Sequence, residues 1–187
     1  YYTEEQVILA KKLAKLSGLD KCFFSNSGTE GAEAAIKLAR KYTKKPGMIS
    51  TKHSFHGRTF GALSATWKEK IKNPFKPLLA DFKHVEYGNA DAVEKAIDKK
   101  TGAVIVEPIQ GEAGIILPSK DYLKNLRKIC DKHNILLIID EVQTGCGRTG
   151  KFFAYEHEKI KPDIVMLAKG LANGIPIGVT IAKEKIA

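Results

Sequence analysis

The sequence predicts an α/β domain with a mostly parallel β-sheet flanked by helices. Segments with helical periodicity alternate with short aliphatic runs, which is typical of such a sheet. Several polar side chains directly follow these runs, and ligands bind at the carboxyl ends of strands in open α/β sheets. The 187 residues, 43% of them hydrophobic, are sufficient for one domain with a core. We therefore expect a single domain, residues 1–187.

Four helices are predicted from capping residues and periodicity. The second, which Ser27-Gly28-Thr29-Glu30 begins, has its apolar stripe at Ala34, Ala35, Leu38 and Ala39. The first begins at the capping box Thr3-x-x-Gln6 and ends near Leu16. The third begins at Asn89 and ends near Lys99, and the fourth begins at Ser119 and ends near Lys132.

The predicted strands are short aliphatic runs bounded by polar residues. The clearest is Ile135 to Ile139, five aliphatic residues in succession that stop at Asp140-Glu141. Such a run indicates a fully buried strand. The others are Lys21 to Ser25, Met48 to Thr51, Ala103 to Val106, Ile164 to Leu167 and Val179 to Ala182.

Composition argues against several classes of protein. The net charge of +10 could indicate a nucleic-acid surface, but the lysines are scattered along helical segments without interleaved aromatic residues, so we expect no nucleic-acid partner. No apolar run is long enough to cross a bilayer. The three cysteines have no C-x-x-C pair, which favours a reducing compartment. We expect a cytoplasmic location, although the chain starts at Tyr1 and organellar targeting stays open.

Two motifs can bind charged parts of a ligand. Ser27-Gly28-Thr29 places free amides at a helix start, where an anion is stabilised; an ordinary helix cap is the alternative. Asp140 ends a buried strand, where a carboxylate needs a partner. That partner could be a pyridinium nitrogen, and the alternatives are a helix cap or a metal.

Two further motifs can carry reactive or clamping groups. Lys169 follows an apolar strand, and a partly desolvated lysine amine can form a Schiff base, although most lysines are surface residues. In Ser54-Phe55-His56-Gly57-Arg58-Thr59, Phe55 could stack on a planar ring and Arg58 could grip a carboxylate; a surface loop is the alternative. His53 and His56 lack a further ligand cluster, so no metal site is predicted.

One motif resembles a nucleotide-binding loop but lacks part of its pattern. Gly145 to Lys151 fits the G-x-x-x-x-G-K pattern of a phosphate-binding P-loop, but Phe152 replaces the serine or threonine that would hold magnesium. The motif also starts five residues beyond the end of the strand at Asp140. We therefore reject a nucleotide-triphosphatase.

Five motifs, in order, resemble the class III (subgroup II) aminotransferases, which have the aspartate aminotransferase fold type I. Within that family the sequence is most similar to acetylornithine aminotransferases. The motifs are Asn26-Ser27-Gly28-Thr29-Glu30, Ser54-Phe55-His56-Gly57-Arg58-Thr59, Glu107-Pro108-Ile109-Gln110-Gly111-Glu112, Asp140-Glu141-Val142-Gln143-Thr144-Gly145 and Ala168-Lys169-Gly170-Leu171.

The resemblance implies a pyridoxal 5'-phosphate (PLP) cofactor. Lys169 would form a Schiff base with it and shuttle protons, and Asp140 would keep the pyridine nitrogen protonated, so these two are the expected catalytic residues. Val142 and Phe55 would pack on the two ring faces. The remaining cofactor-binding residues would be Gly28 and Thr29 at the phosphate, Gln143 near the phenolic oxygen, and Glu141.

The resemblance also implies a substrate site and a reaction. Arg58 would bind the substrate α-carboxylate, and Glu107 and Glu112 would line the pocket. The expected reaction moves the terminal amino group of N-acetylornithine, or a close N-acyl diamino acid, to 2-oxoglutarate. The products would be N-acetylglutamate semialdehyde and glutamate, as in arginine biosynthesis. The alternatives are ornithine, 4-aminobutyrate or carrier-bound lysine as donor, or an inactive PLP-fold binding module.

The resemblance finally implies a homodimer and a longer protein. Family members have an N-terminal segment and a C-terminal small domain, so residues 1–187 would form the PLP-binding large domain alone. The sequence departs from the family pattern at three places. Trp67 stands where a small turn residue is common, Cys146 replaces an aliphatic residue, and Ala172 to Pro176 replaces a glycine-rich stretch.

Overall fold

The computed structural model describes residues 2–187 and leaves Tyr1 outside the described residues. Within that range the chain alternates helices and strands along most of its length. The α-helices are α1 (Glu4–Ser17), α2 (Gly28–Thr43), α3 (Phe60–Ala65), α4 (Glu69–Lys72), α5 (Ala90–Ala96) and α6 (Tyr122–His133). Short 3-10 helices cover Asn73–Phe75, Ala154–Glu158 and Lys169–Ala172. The strands are β1 (Lys21–Ser25), β2 (Gly47–Thr51), β3 (Phe82–Val85), β4 (Thr101–Val106), β5 (Leu136–Asp140), β6 (Ile164–Leu167) and β7 (Gly178–Ala182).

The strands form one mostly parallel sheet in the order β1-β7-β6-β5-β4-β2-β3. Strands β3, β2, β4, β5 and β6 are parallel to one another. Strand β7 is antiparallel to both β6 and β1. Helices flank this sheet, so the α/β prediction is confirmed.

Side-chain alternation along the central strands builds a core on each face of the sheet. On β5, Ile138 packs in the cluster that contains α2 and α3. Leu137 and Ile139 pack in the opposite cluster, which contains Leu126 of α6. Because successive strand residues point to opposite faces, this strand also decides the directions of Asp140, its last residue, and of Glu141, which follows it.

The helix predictions need correction at their ends and at the buried stripe of α2. Ala32 and Ile36 are buried there with Ala35 and Ala39, whereas the predicted Ala34 and Leu38 are only partly buried. The remaining differences are as follows: Thr3 precedes α1 without a side-chain cap, α5 ends at Ala96 rather than near Lys99, and α6 begins at Tyr122.

The cap predicted at Ser119 is wrong for a physical reason. The Ser119 hydroxyl donates to the carbonyl of Gly88 at 2.5 Å, so it ties two loops together. Asp121 occupies the N-cap position of α6 instead. The Asn89 cap of α5 is confirmed, since its side chain accepts the amide of Ala92 at 2.9 Å.

Two classes of feature are absent from residues 2–187. No helix in that range is long and apolar enough to cross a membrane. The same residues contain no group of three or more histidine, cysteine or acidic side chains that could hold a metal ion. The three cysteines are free thiols.

Candidate active site

A cavity of about 550 Å³ opens at the carboxyl ends of β2, β4, β5 and β6, beside the start of α2. We call it the main cavity. Ten of the eleven residues that the sequence predicts for the site line it. They are Gly28, Thr29, Phe55, Arg58, Glu107, Glu112, Asp140, Val142, Gln143 and Lys169. The sheet therefore brings together motifs that are far apart in the sequence.

Asp140 is held at the base of the cavity by a histidine. The Nδ1 of His56 donates to its Oδ2 at 2.7 Å, and the Val142 amide donates to its Oδ1 at 3.0 Å. Both side chains are buried. Burial alone would lower the pKa of His56, but the hydrogen bond and charge of Asp140 outweigh it, so the pKa of His56 is raised. The contact with Asp140 thus favours the protonated form of His56, and the two hydrogen bonds fix the orientation of the buried carboxylate.

Sequence reasoning missed this role of His56. The sequence offers His56 only as a possible metal ligand, and none of the described residues completes a metal cluster. The two partners are 84 positions apart, so only the folded chain reveals the pair. The one available signal is the position of His56 between Phe55 and Arg58 in the Ser54-Phe55-His56-Gly57-Arg58-Thr59 motif.

Glu107 is a second buried carboxyl group beside this pair. Its Oε2 accepts the Phe55 amide at 3.2 Å. Burial raises the pKa of Glu107 to about 7, with the charge of Asp140 adding to the rise and that of His56 opposing it. Glu107 thus fixes the backbone that carries Phe55, and its protonation changes near neutral pH.

Lys169 reaches the same cavity from the end of β6. It begins a 3-10 helix with φ of 42°, a left-handed conformation that costs energy for a residue with a Cβ and is common at functional sites. Its Nζ donates to Oε1 of Gln143 and lies 3.8 Å from Oε1 of Glu112. The side chain is 52% exposed, so residues 2–187 alone do not desolvate this amine as the sequence led us to expect.

Glu141 is the one predicted site residue that the structure places outside the cavity. Its Oε2 accepts the Thr144 hydroxyl at 2.5 Å, and its Oε1 accepts the Tyr155 amide at 3.0 Å. Alternation after β5 turns Asp140 toward one face of the sheet and Glu141 toward the other. Glu141 therefore braces the turn behind the site, and we do not retain it as a cofactor-binding residue.

The start of α2 supplies unpaired amides. The Ser27 side chain accepts the Glu30 amide at 3.3 Å, whereas the Gly28 and Thr29 amides have no acceptor within residues 2–187. A Cβ on Gly28 would lie 3.0 Å from both methyl groups of Val142, so a larger residue would press on the cavity wall. This geometry fits an anion at a helix N-terminus.

The loop after β2 is locked onto α2 through Thr29. The Thr29 Oγ1 accepts the amides of Arg58 at 3.2 Å and Thr59 at 3.4 Å. Gly57 has φ of 137°, and a Cβ there would lie 2.2 Å from Thr29 Oγ1. Only glycine permits this approach. These hydrogen bonds to Thr29 fix the backbone position of Arg58 at the cavity.

The rejected P-loop motif lies in a series of turns. Residues 142–150 contain turns and bends, and β5 is not followed directly by an α-helix. A P-loop requires a strand, a phosphate loop and a helix in succession, so the geometry agrees with the rejection.

Comparisons with known proteins agree with this arrangement. The family model described as "Aminotransferase class-III" matches residues 1–187. Acetylornithine aminotransferases from Methanopyrus kandleri and Methanocaldococcus jannaschii are 58% and 52% identical over the whole chain, which covers 49% and 48% of their lengths. The crystal structure of the ornithine aminotransferase from Toxoplasma gondii superposes with a TM-score of 0.94 at 33% identity, covering the whole chain and 47% of that protein.

The fold and the arrangement of the site are those of the class III aminotransferases. The chain belongs to the class III aminotransferase family. It spans about half the length of the curated relatives that it matches.

PLP is the cofactor of this family, and the side chains of the main cavity fit it. The group carries a phosphate, a ring nitrogen and an aldehyde, for which the cavity offers the α2 amides, the Asp140 carboxylate and the Lys169 amine. Gly28 leaves room where a side chain would press on Val142. Phe55 and Val142 supply apolar surface in the same space.

Proposed function

We propose that the full-length protein is a PLP-dependent aminotransferase that uses N-acetylornithine, or a close N-acyl diamino acid, and 2-oxoglutarate. The observation that carries the proposal is one cavity lined by the Lys169 amine, the buried Asp140 and Arg58, which forms no ion pair within residues 2–187. The products would be N-acetylglutamate semialdehyde and glutamate, which serves arginine biosynthesis.

Each residue would have a distinct task. PLP, when bound, supplies an electron sink for the substrate carbanion. Lys169 would hold the cofactor covalently and then move a proton at the reacting carbon. Asp140, oriented by His56, would keep the ring nitrogen protonated. Gln143, which contacts the Lys169 amine, would orient that amine.

The cofactor would be positioned by the walls of the cavity. The Gly28 and Thr29 amides would hold the phosphate, because no acceptor among the described residues binds them. Phe55 and Val142 would pack against the ring, Arg58 would bind the substrate carboxylate as a bidentate pair, and Glu107 and Glu112 would line the substrate side.

The choice of donor rests on the relatives. Five curated relatives at 47–58% identity are named acetylornithine aminotransferases. Ornithine is the second candidate, since the Toxoplasma gondii enzyme of that name has the same fold.

The whole protein would be a cytoplasmic homodimer. Residues 1–187 would form its PLP-binding large domain, and the segments that relatives have beyond this length would complete the substrate site. We propose no nucleic-acid or membrane partner.

A donor panel tests the proposal. Full-length protein loaded with PLP is mixed with N-acetylornithine, ornithine, 4-aminobutyrate or lysine, and glutamate formed from 2-oxoglutarate is measured. We expect the highest kcat/KM with N-acetylornithine. Equal rates with 4-aminobutyrate would contradict the donor, and no glutamate from any donor would contradict the activity.

A further inference from the structure

A second cavity of about 480 Å³ adjoins the main cavity at Arg58. We call it the Trp67 cavity. It shares Phe55, Arg58 and Glu112 with the main cavity, and its far wall includes Trp67 and Ile71. A molecule bound to Arg58 can therefore extend into both spaces.

The indole wall of the Trp67 cavity is held in place. The Trp67 amide donates to the Ser54 carbonyl at 3.0 Å. The indole packs against His84 with ring centroids 5.4 Å apart, and the Lys52 amine lies 5.8 Å from its centroid. Burial lowers the pKa of His84 to about 4, so this neighbour is neutral at neutral pH. A fixed aromatic face results.

The charges around the Trp67 cavity disfavour a free ammonium group. Arg58 and Lys68 line it and have no ion pair within residues 2–187. Of the two carboxylates that line it, Glu69 already pairs with Lys76 at 2.8 Å, and Glu112 lies at the border with the main cavity. A neutral amide avoids the repulsion that a third cation would meet there.

The connectivity of an amino-acid donor matches these two spaces. In an N-acyl diamino acid, one carbon carries both the carboxylate and the acylamino group, and a short chain separates it from the terminal amine. With the carboxylate on Arg58, the chain can extend through the main cavity toward Lys169. The acylamino group, on the same carbon as the carboxylate, then stays next to Arg58, which also lines the Trp67 cavity.

We propose that the Trp67 cavity is the subsite for the acyl group of the amino donor and that Trp67 is a specificity-determining residue. This inference rests on the proposed function. The acyl group packs on the indole, while Arg58 and Lys68 exclude an unacylated α-ammonium. The tryptophan, which departs from the family pattern, thereby strengthens the preference for acylated donors.

Steady-state kinetics of full-length Trp67→Gly and Trp67→Phe enzymes test the proposal. We expect Trp67→Gly to lower kcat/KM for N-acetylornithine about tenfold, the scale of losing one apolar contact in a specificity pocket. The loss falls on KM, because the contact forms before and during the reaction alike. Trp67→Phe keeps an aromatic wall and loses less. Values for 4-aminobutyrate stay unchanged, since it has no acyl group.

The matched control is Phe75→Ala, which removes an exposed aromatic side chain outside both cavities. It leaves all donors unchanged. Equal losses for acylated and unacylated donors in Trp67→Gly, or no loss for N-acetylornithine, would overturn the proposal. A wild-type preference for ornithine would also overturn it, because the α-ammonium would then occupy this space.

A binding readout covers the case in which Trp67→Gly does not fold. The enzymes are first inactivated by borohydride reduction, and the fluorescence of Trp67 is taken as the wild-type signal minus the Trp67→Phe signal. We expect N-acetylornithine to change this Trp67 signal and 4-aminobutyrate to leave it unchanged. An unchanged difference at saturating N-acetylornithine would overturn the subsite. If the enzyme transaminates but neither the kinetic nor the fluorescence effect of Trp67 is found, the subsite alone is rejected. If no donor is transaminated, the proposed function is rejected.

Discussion

At the scale of single residues, the site depends on a buried cluster that no motif describes in full. Lys169, Asp140 and Arg58 belong to recognisable motifs, so the sequence alone predicts that they are site residues. The His56–Asp140 hydrogen bond and the burial of Glu107 depend on contacts between distant segments. Sequence spacing cannot give those contacts, and it also could not show that Glu141 turns away from the cavity.

The raised pKa of Glu107 predicts a pH-dependent stability difference. Its folded-state pKa of about 7 exceeds the ordinary 4.5 because of burial. The folded state therefore binds the proton more tightly, and stability falls as the pH rises from 4.5 toward 7. We expect Glu107→Gln to lack this loss, so its stability relative to wild type increases by up to roughly 3 kcal/mol between these limits.

Urea unfolding of the PLP-free protein at several pH values measures this difference. Glu112→Gln is the control, because that side chain is 55% exposed and should show no such trend. A constant difference between Glu107→Gln and wild type across the pH series would contradict the prediction.

Removing the charge of Asp140 should slow the reaction. Asp140→Asn keeps an acceptor for His56 but loses a charge-assisted bond worth about 1.5–3 kcal/mol, so we expect kcat to fall roughly ten- to hundredfold. Glu141→Gln is the matched control, since this neighbouring buried acid lies outside the cavity. Single-turnover rates with N-acetylornithine provide the measurement, and equal rates for the two variants would be inconsistent with our assignment.

At the scale of elements, aliphatic runs predict most of the strands. A strand that carries polar residues has no such run and is not predicted. The central strands β5 and β6 are continuous hydrophobic sequences, which burial on both faces demands. Strand β3 was missed because Phe82-Lys83-His84-Val85 lies at the sheet edge and carries polar residues. Helix α3 was missed because its first amides are capped by Glu33 from α2, with Oε1 accepting Gly61 at 2.7 Å.

The start of α2 gives a prediction with a control in the same helix. Gly28→Ala places a Cβ 3.0 Å from the Val142 methyl groups, whereas at Gly31 the nearest atom is 3.6 Å away. Overpacking costs about 1–3 kcal/mol, so we expect PLP affinity to fall about tenfold in Gly28→Ala. Gly31→Ala should bind PLP normally. Absorbance titration with PLP decides, and equal affinities would refute the role of Gly28.

At the scale of the whole molecule, the sheet brings ten predicted residues to one edge, but half of a relative's length is not covered. The sequence predicts the fold because alternating patterns and motif order agree. It does not show how exposed the reactive amine is, and in the structure the Lys169 side chain is 52% exposed.

Under the proposed division of the site, catalysis should need segments beyond residues 1–187. We expect residues 1–187 alone to bind PLP weakly and to show no turnover. A chimera that joins them to the uncovered segments of the Methanopyrus kandleri relative should transaminate N-acetylornithine. Comparable turnover by residues 1–187 alone would contradict this division of the site.

Covalent mapping of the cofactor tests the central claim most directly. Full-length protein loaded with PLP is reduced with borohydride, digested and analysed by mass spectrometry, with Lys169→Ala as the comparison. We predict a phosphopyridoxyl group on the peptide that contains Lys169 and none in the variant. A label on another lysine, or one that persists in Lys169→Ala, would contradict the account.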